Sequence, residues 1–213
     1  NGDGVLDIVK QTSLNPPQHV AITYNDPSNE GYFNGYDIID QLAPYFVTVG
    51  DLNGDGRDDL VYTIPDGNGT VSIHYGSPDG PMEYPDKVLV GENAESSLGT
   101  GLAIGDWNCD GYDDIAVSEP GLANNSSGYV WAILGGEYGL ENSSWWNMTG
   151  EDDDGLGWSM TSMGDVENDG CDDLAIVANG TVSVDEEGEV VAVIKDRCKR
   201  VAKEDALNHV LGY

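Results

Sequence analysis

The stretch Asp106-Trp107-Asn108-Cys109-Asp110-Gly111-Tyr112-Asp113-Asp114-Ile115 decides the fold, because related copies of it recur along the chain. Complete copies begin at Asp51 and Asp165, and a truncated copy runs from Asn1 to Ile8. The first aspartates of the complete copies are 55 and 59 residues apart (51 to 106, and 106 to 165). A period in the fifties is too long for helical hairpin repeats and suits a unit of four β-strands.

Short apolar segments flank each copy and support this interpretation. They have strand length and contain β-branched residues, with the acidic stretch as a turn between the first two. The predicted first strands are 45–50, 102–105 and 159–164; the second are 60–64, 115–118 and 174–178; the third are 70–75, 129–134 and 189–195; the fourth are 36–41, 82–90 and 140–148.

The sequence therefore predicts an all-β fold of β-propeller blades, each with four antiparallel strands. About four blades are expected, over residues 1–42, 43–92, 93–155 and 156–213, and the first lacks its opening strand. Residues 197–213 break the pattern and are expected to form either a helix or an irregular last strand. The chain begins within a polar loop, and we expect it to be a piece of a longer protein.

The acidic stretches are predicted to be cation-binding loops: loop 1 (51–59), loop 2 (106–114), loop 3 (165–173) and a truncated loop (1–7). Each complete loop has oxygen-bearing side chains at positions 1, 3, 5 and 9 and glycine at position 6, where the chain must reverse. Such oxygens suit Ca²⁺, and the carbonyl of position 7 adds another. The predicted ligands are Asp51, Asn53, Asp55, Arg57 (carbonyl) and Asp59; Asp106, Asn108, Asp110, Tyr112 (carbonyl) and Asp114; Asp165, Glu167, Asp169, Cys171 (carbonyl) and Asp173; and Asn1, Asp3, Val5 (carbonyl) and Asp7.

An EF-hand and an ordinary turn are the two other interpretations of these loops. An EF-hand needs a bidentate glutamate at position 12 between helices, and here that position is Tyr62, Val117 or Ile176 within a predicted strand. Asp, Asn and Gly are also ordinary turn formers, but three copies with matching positions favour cation binding. Glu167 stands where the other loops have asparagine, so loop 3 is expected to bind its cation differently or more weakly.

The third repeat resembles a known family. Leu98-Gly99 stands where Phe-Gly is common, the loop follows, Ser118-Glu119-Pro120 stands for Gly-Ala-Pro, and the unit ends in Gly135-Gly136. This segment resembles the FG-GAP repeats of integrin α-subunit propellers and of other secreted propellers. The resemblance covers residues 1–195 and implies a seven- or eight-bladed, calcium-stabilised β-propeller, of which this chain would be about half.

The net charge excludes some partners. The chain has 39 Asp and Glu against 8 Lys and Arg among 213 residues, a formal charge of −31. Such a surface repels phosphate backbones and anionic headgroups, so neither nucleic acid nor a polybasic membrane anchor is expected. No apolar run approaches the length needed to span a bilayer. We expect no membrane insertion within this segment.

Glycosylation sequons and cysteines point to an extracellular, secreted or cell-surface location. Extracellular Ca²⁺ would also fill weak sites. Cys171 and Cys198 are the favoured disulfide pair, which leaves Cys109 free or paired outside the segment. The sequons lie at Asn68, Asn124, Asn125, Asn142, Asn147 and Asn179.

No catalytic motif stands out. The histidines are scattered, and most carboxylates belong to the predicted cation loops, where acid–base work would compete with metal binding. A non-enzymatic binding or adhesion module is therefore favoured, with an extracellular protein, a glycan or copies of itself as partner. Two alternatives stay open: the propeller of a secreted carbohydrate- or lipid-active enzyme, and a subunit of an extracellular filament or coat.

Overall fold

The structure is a computed structural model that describes residues 2–4, 6–12, 19–25, 28, 33–40, 44–92, 96–120, 127–151, 154–166, 168–178, 190–194 and 210–212. These residues form β-strands and turns, and no helix occurs among them. The strands are β1 (Ile8–Thr12), β2 (His19–Asn25), β3 (Phe33–Asp40), β4 (Val47–Gly50), β5 (Asp59–Ile64), β6 (Thr70–His74), β7 (Lys87–Val90), β8 (Leu102–Gly105), β9 (Asp114–Glu119), β10 (Tyr129–Ile133), β11 (Trp146–Thr149), β12 (Ser159–Gly164), β13 (Asp173–Ala178), β14 (Val190–Ile194) and β15 (Val210–Gly212).

The strands form four sheets in chain order. β1 to β3 make a three-stranded sheet, and β4–β7, β8–β11 and β12–β15 make three four-stranded sheets. Every pairing is antiparallel between strands that follow one another in the chain. The predicted all-β fold of four-stranded antiparallel sheets, consistent with propeller blades, is confirmed. At the carboxyl end, 210–212 form a strand, and 195–209 lie outside the described residues.

The sheets pack face to face because their middle strands are apolar on both sides. On β5, Leu60 and Tyr62 pack with Val20 of the first sheet, whereas Val61 packs with Ile115 of the third. The next strand in this role, β9, likewise turns alternate side chains to the second and fourth sheets. This period of two places an apolar layer between each pair of neighbouring sheets. The first strands of the three four-stranded sheets, β4, β8 and β12, lie side by side.

A leucine-glycine pair joins each of the last two sheets to the one before it. The amide of Leu98 donates to the Asn68 carbonyl of the preceding sheet at 3.1 Å, and Gly99 donates to Ser118 of its own sheet at 2.9 Å. Gly99 has φ of +88°, and a Cβ there would lie 2.7 Å from the Thr63 Cβ. Leu156 and Gly157 repeat the arrangement, so this pair spaces successive sheets.

Candidate cation-binding loops

The three complete loops lie between the first and second strands of the four-stranded sheets, at one end of the sheets. In loop 1, Asp51 Oδ1 accepts from the amide of Asp55 at 3.1 Å, and Asp51 Oδ2 accepts from Gly56 at 2.9 Å. Asn53 Oδ1 also accepts from Asp55 at 3.0 Å, and Asp55 Oδ1 accepts from Arg57 at 2.9 Å. The side chains of positions 1, 3 and 5 are therefore gathered on the inner amides of their own loop.

The same bonds recur in the other loops, which shows that the repeat is structural as well as sequential. Loop 2 repeats all four at 2.9 to 3.0 Å. Loop 3 repeats the bonds from positions 1 and 5 at 2.9 to 3.0 Å, while Glu167 lies outside the described residues. Position 6 is a glycine with φ of +82°, +88° and +96° in the three loops, in the left-handed region that glycine adopts without steric cost.

The aspartate at position 9 is buried in each of the three complete loops. Asp59 Oδ2 accepts from the amide of Leu52 at 3.0 Å, and Oδ1 accepts from Gly76, after the third strand, at 2.7 Å. Asp114 makes the equivalent bonds to Trp107 and Gly135. Each of these oxygens keeps a second lone pair, so the group ties the loop to its sheet and can still act as a ligand.

Two further aspartates occupy the same place in their repeats. Asp173 Oδ2 accepts from Val166 at 2.8 Å. In the truncated loop, Asp7 Oδ1 accepts from the amide of Asn25, the last residue of β2, at 2.9 Å. Asn1 and Val5 lie outside the described residues, and Asp3 is exposed. The position 9 aspartate is thus common to all four repeats.

Like charges crowd these buried carboxyls. Burial raises the pKa of Asp59 to about 7; the carboxylates of Asp51 and Asp55 add to the rise, and the two amide hydrogen bonds oppose it. Burial likewise raises the pKa of Asp114 to about 7, with Asp110 and Asp106 adding to it. Each loop therefore gathers negative charge beside a carboxyl that water reaches poorly, an arrangement that a bound cation would relieve.

Neighbouring loops are bonded to each other through position 8. The amide of Asp113 donates to the Asp51 carbonyl at 3.0 Å, and Asp113 Oδ2 accepts from the Asp51 amide at 2.8 Å. The bonds between Asp172 and Asp106 are 2.9 and 3.3 Å. The sequence of a single loop does not predict these contacts, because each one joins two different repeats.

A signal for the missed contacts exists in the sequence. Each of these position 8 aspartates lies against a glycine that comes just before the preceding loop. A Cβ on Gly50 would lie 2.6 Å from Asp113 Oδ2, and one on Gly105 would lie 2.8 Å from Asp172 Oδ2. Glycine leaves the space that the carboxylate of the next sheet fills. Burial also raises the pKa of Asp113, and the carboxylates of Asp172, Asp51 and Asp106 contribute.

A second contact joins position 4 of each loop to position 7 of the next. The side chain of Arg57 lies against Gly2, and the ring of Tyr112 occupies the space where Gly54 would carry a Cβ. At the third such place Cys109 and Cys171 form a disulfide, with their Cα atoms 4.8 Å apart. That separation lies within the usual range for disulfides.

The expected pairing of Cys171 with Cys198 is therefore wrong. Loop 3 lies against loop 2, which brings Cys171 to Cys109 rather than to a cysteine of its own blade. Cys198 lies outside the described residues. A disulfide is present, as expected, but it links two neighbouring loops instead of two parts of one repeat.

The donor set fits calcium by its chemistry. Its members are carboxylate, amide and carbonyl oxygens, the ligands that this cation prefers. Among the described residues, no group of three or more His, Cys, Asp or Glu side chains is close enough together to hold a metal ion. The structure thus brings the loop residues to one place with their oxygens on backbone amides, and the assignment of individual calcium ligands stays a prediction.

The other predicted sites lie away from these loops. Asn68, Asn142 and Asn147 are exposed, and Asn147 lies on the outermost strand of its sheet. Asn124, Asn125 and Asn179 lie outside the described residues. His74 is buried in β6 with Nδ1 2.8 Å from the Met82 carbonyl oxygen. No helix long and apolar enough to cross a membrane occurs in the described part of the chain.

Repeated antiparallel sheets, each with an aspartate loop between its first two strands, define this chain as part of a blade-repeat protein. Comparison with known proteins names the repeat. Residues 51–117 match the family model described as an FG-GAP-like repeat. The chain carries an integrin-α-like FG-GAP region, as the sequence predicted.

Three relatives show the extent of the similarity. The chain is 33% identical over 164 residues to integrin alpha-IIb of Mus musculus and 32% identical over 162 residues to integrin alpha-PS5 of Drosophila melanogaster. Each alignment covers 68% of this chain and 16% of the integrin. The chain is also 32% identical over 150 residues to phosphatidylinositol-glycan-specific phospholipase D of Mus musculus, covering 62% of this chain and 18% of that protein.

Proposed function

We propose that this chain is part of an extracellular, calcium-stabilised β-propeller that acts as a non-enzymatic adhesion module. Its partner would be an extracellular protein or glycan, or another copy of the protein. The observation that carries the proposal is the set of hydrogen bonds that three successive loops share, in a chain similar to integrin α chains. Identical loops in successive repeats are expected when each binds the same kind of ligand.

Calcium would be held by the side-chain oxygens of positions 1, 3, 5 and 9 together with the carbonyl of position 7. When bound, it supplies the positive charge that the crowded carboxylates lack. The chain's own residues hold the loop in shape, because position 9 fixes it to the sheet and positions 1 and 5 fix its inner amides. Calcium would therefore stabilise the folded protein more than it changes its shape.

The test is thermal unfolding of the full-length protein with Ca²⁺ or with EDTA. A cation at a hundredfold excess over its dissociation constant stabilises by about 2.7 kcal/mol per site. EDTA should lower the midpoint, and excess Ca²⁺ should restore it whereas Mg²⁺ should do so poorly. An unchanged midpoint would refute the calcium role. Adhesion is tested by calcium-dependent attachment of cells to the immobilised protein, with EDTA as the control.

Location and glycosylation form part of the same proposal. The six sequons would carry N-linked glycans on a secreted or cell-surface protein, and the three that are described have exposed side chains. Peptide mapping of the protein purified from its natural source, with and without enzymatic deglycosylation, gives the occupancy of each asparagine. Unmodified asparagine at all six positions would count against passage through the secretory pathway.

A second candidate comes from the similarity to phosphatidylinositol-glycan-specific phospholipase D. That similarity covers 62% of this chain and 18% of that protein, so it fits a propeller attached to a lipid-active enzyme. Turnover of a phosphatidylinositol-glycan substrate by the full-length protein would favour this candidate. Calcium-dependent adhesion without turnover would favour the first.

A further inference from the structure

We infer that the position 8 aspartates of loops 2 and 3 are positioning residues, each for the cation site of the preceding loop, so that successive sites are coupled in one direction along the chain. The inference rests on the proposed calcium function. It concerns Asp113 and Asp172, neither of which belongs to the predicted ligand set.

The first step concerns how tightly position 8 holds its neighbour. Asp113 makes two reciprocal hydrogen bonds with the backbone of Asp51. Its carboxylate accepts from the Asp51 amide, and its amide donates to the Asp51 carbonyl. Asp172 makes the same pair with Asp106. The two side-chain oxygens of position 1 accept hydrogen bonds from inner amides of the loop, so the backbone of position 1 fixes where those oxygens lie.

The second step concerns the direction of the coupling. Asp113 belongs to loop 2 by sequence, but its carboxylate accepts from the backbone of loop 1. Loss of this carboxylate therefore removes the bond to the amide of Asp51, the first ligand of loop 1, while the equivalent ligand of loop 2 keeps both of its bonds to Asp172. If the carboxylate of Asp113 acted only through its charge, its loss would weaken cation binding at both neighbouring loops.

The third step concerns the other end of the loop. Position 7, whose carbonyl is the predicted fifth oxygen, carries the side chain that contacts position 4 of the preceding loop. Tyr112 covers Gly54 in this way, and Cys171 is bonded to Cys109. Ligand positions 1 and 7 are thus both adjacent to contacts between loops. A change in one loop reaches the next through rigid, short connections.

The experiment measures calcium affinity loop by loop in the full-length protein. The position 6 glycines serve as reporters, because the amides of Gly56, Gly111 and Gly170 each donate to the position 1 carboxylate of their own loop at 2.9 Å. Their amide resonances are followed by NMR during a Ca²⁺ titration. Removing a residue that orients a metal ligand typically lowers metal affinity about 10- to 100-fold.

We expect Asp113→Ala to weaken Ca²⁺ binding at Gly56 by about tenfold or more and to change binding at Gly111 by less than about threefold. Asp172→Ala should shift the loss to Gly111 and spare Gly170. Asp79→Ala removes one carboxylate from an exposed turn outside the loops and controls for net charge. Asp113→Asn loses the same charge but keeps an acceptor oxygen, so it should lie closer to the wild type than Asp113→Ala.

Equal losses at both reporters, or a loss confined to the mutated loop, would overturn the inference. If Asp113→Ala does not fold, Asp172→Ala and the asparagine variants carry the same comparison. If the glycine amide resonances of the wild-type protein do not shift when Ca²⁺ is added, the proposed calcium function is refuted, and the coupling with it. Wild-type resonances that respond while the variants show no displaced loss would refute the coupling alone.

Discussion

Loops 1 and 2 meet through non-covalent contacts, whereas loops 2 and 3 meet through a disulfide. In the first junction the ring of Tyr112 covers Gly54; in the second, Cys109 is bonded to Cys171. Both junctions have the same backbone bonds through position 8. The same contact is therefore made by two kinds of chemistry. Positions 4 and 7 of neighbouring loops lie together at both junctions, although the residues at these positions differ.

The sheets beneath the two junctions differ as well. Between the second and third sheets, the hydroxyl of Tyr75 accepts from the Leu140 amide at 3.0 Å. The ammonium of Lys87 donates to the Leu140 and Glu141 carbonyls at 2.7 and 2.6 Å. In the third sheet, Leu134 and Trp146 occupy the places of Tyr75 and Lys87 in the repeat. The side chains that make the polar contacts at the first junction are thus replaced by other residue types in the third sheet.

The largest effect is expected from breaking the covalent junction. The Cys109→Ala/Cys171→Ala variant should lose about 4 kcal/mol of unfolding free energy, because a bridge between residues 62 apart restricts the unfolded chain strongly. Urea unfolding with Ca²⁺ present, followed by tryptophan fluorescence, measures the loss.

The control for this variant is Cys198→Ala. It should change stability by well under 1 kcal/mol if Cys198 is not the partner of Cys171. Peptide mapping without reduction should find Cys109 linked to Cys171 in that control. A peptide that links Cys171 to Cys198 would contradict the structure.

A somewhat smaller gain is expected from making the first junction like the second. Gly54 has φ of +70°, close to the +60° that Cys109 adopts at the same position, so the backbone already accommodates a cysteine there. Gly54→Cys/Tyr112→Cys should form a disulfide and be about 2 to 4 kcal/mol more stable oxidised than reduced.

The comparison of the two redox forms of one variant removes the cost of losing the tyrosine ring. The single Tyr112→Cys variant, treated with the same oxidant, controls for oxidation elsewhere, because it leaves Gly54 without a side chain. Failure of the two new cysteines to pair would show that the junctions differ in spacing and not only in chemistry.

Strand positions such as those of β8 and β12 were predictable from sequence because each repeat carries two signals. The loop has a fixed pattern, and β-branched runs flank it, so β8 and β12 begin and end where the sequence places them. The second strands begin one residue earlier than predicted, at Asp59, Asp114 and Asp173. These aspartates are both loop residues and strand residues, since their buried carboxylates bond the loop to the sheet.

Contacts between repeats were harder to predict than the repeats themselves. An exposed-looking aspartate such as Asp113 is ordinarily solvated, and nothing in one repeat says that the next repeat lies beside it. The predicted cysteine pairing was wrong for the same reason, because it paired two cysteines of one blade. Comparing position 4 of one loop with position 7 of the next would have placed Cys109 beside Cys171, as Gly54 is placed beside Tyr112.

The smallest effect is expected from Tyr75→Phe, which removes one hydroxyl from the non-covalent junction. The Leu140 amide then loses its acceptor in a part-buried place, at a cost of about 1 kcal/mol. Tyr138→Phe is the matched control, because that side chain is 90% exposed and should change stability very little. If both variants unfold at the same urea concentration as the wild type, the hydroxyl contributes nothing measurable. The second and third sheets would then be held by their other contacts, among them the Lys87 hydrogen bonds, the apolar layer and the contacts between loops.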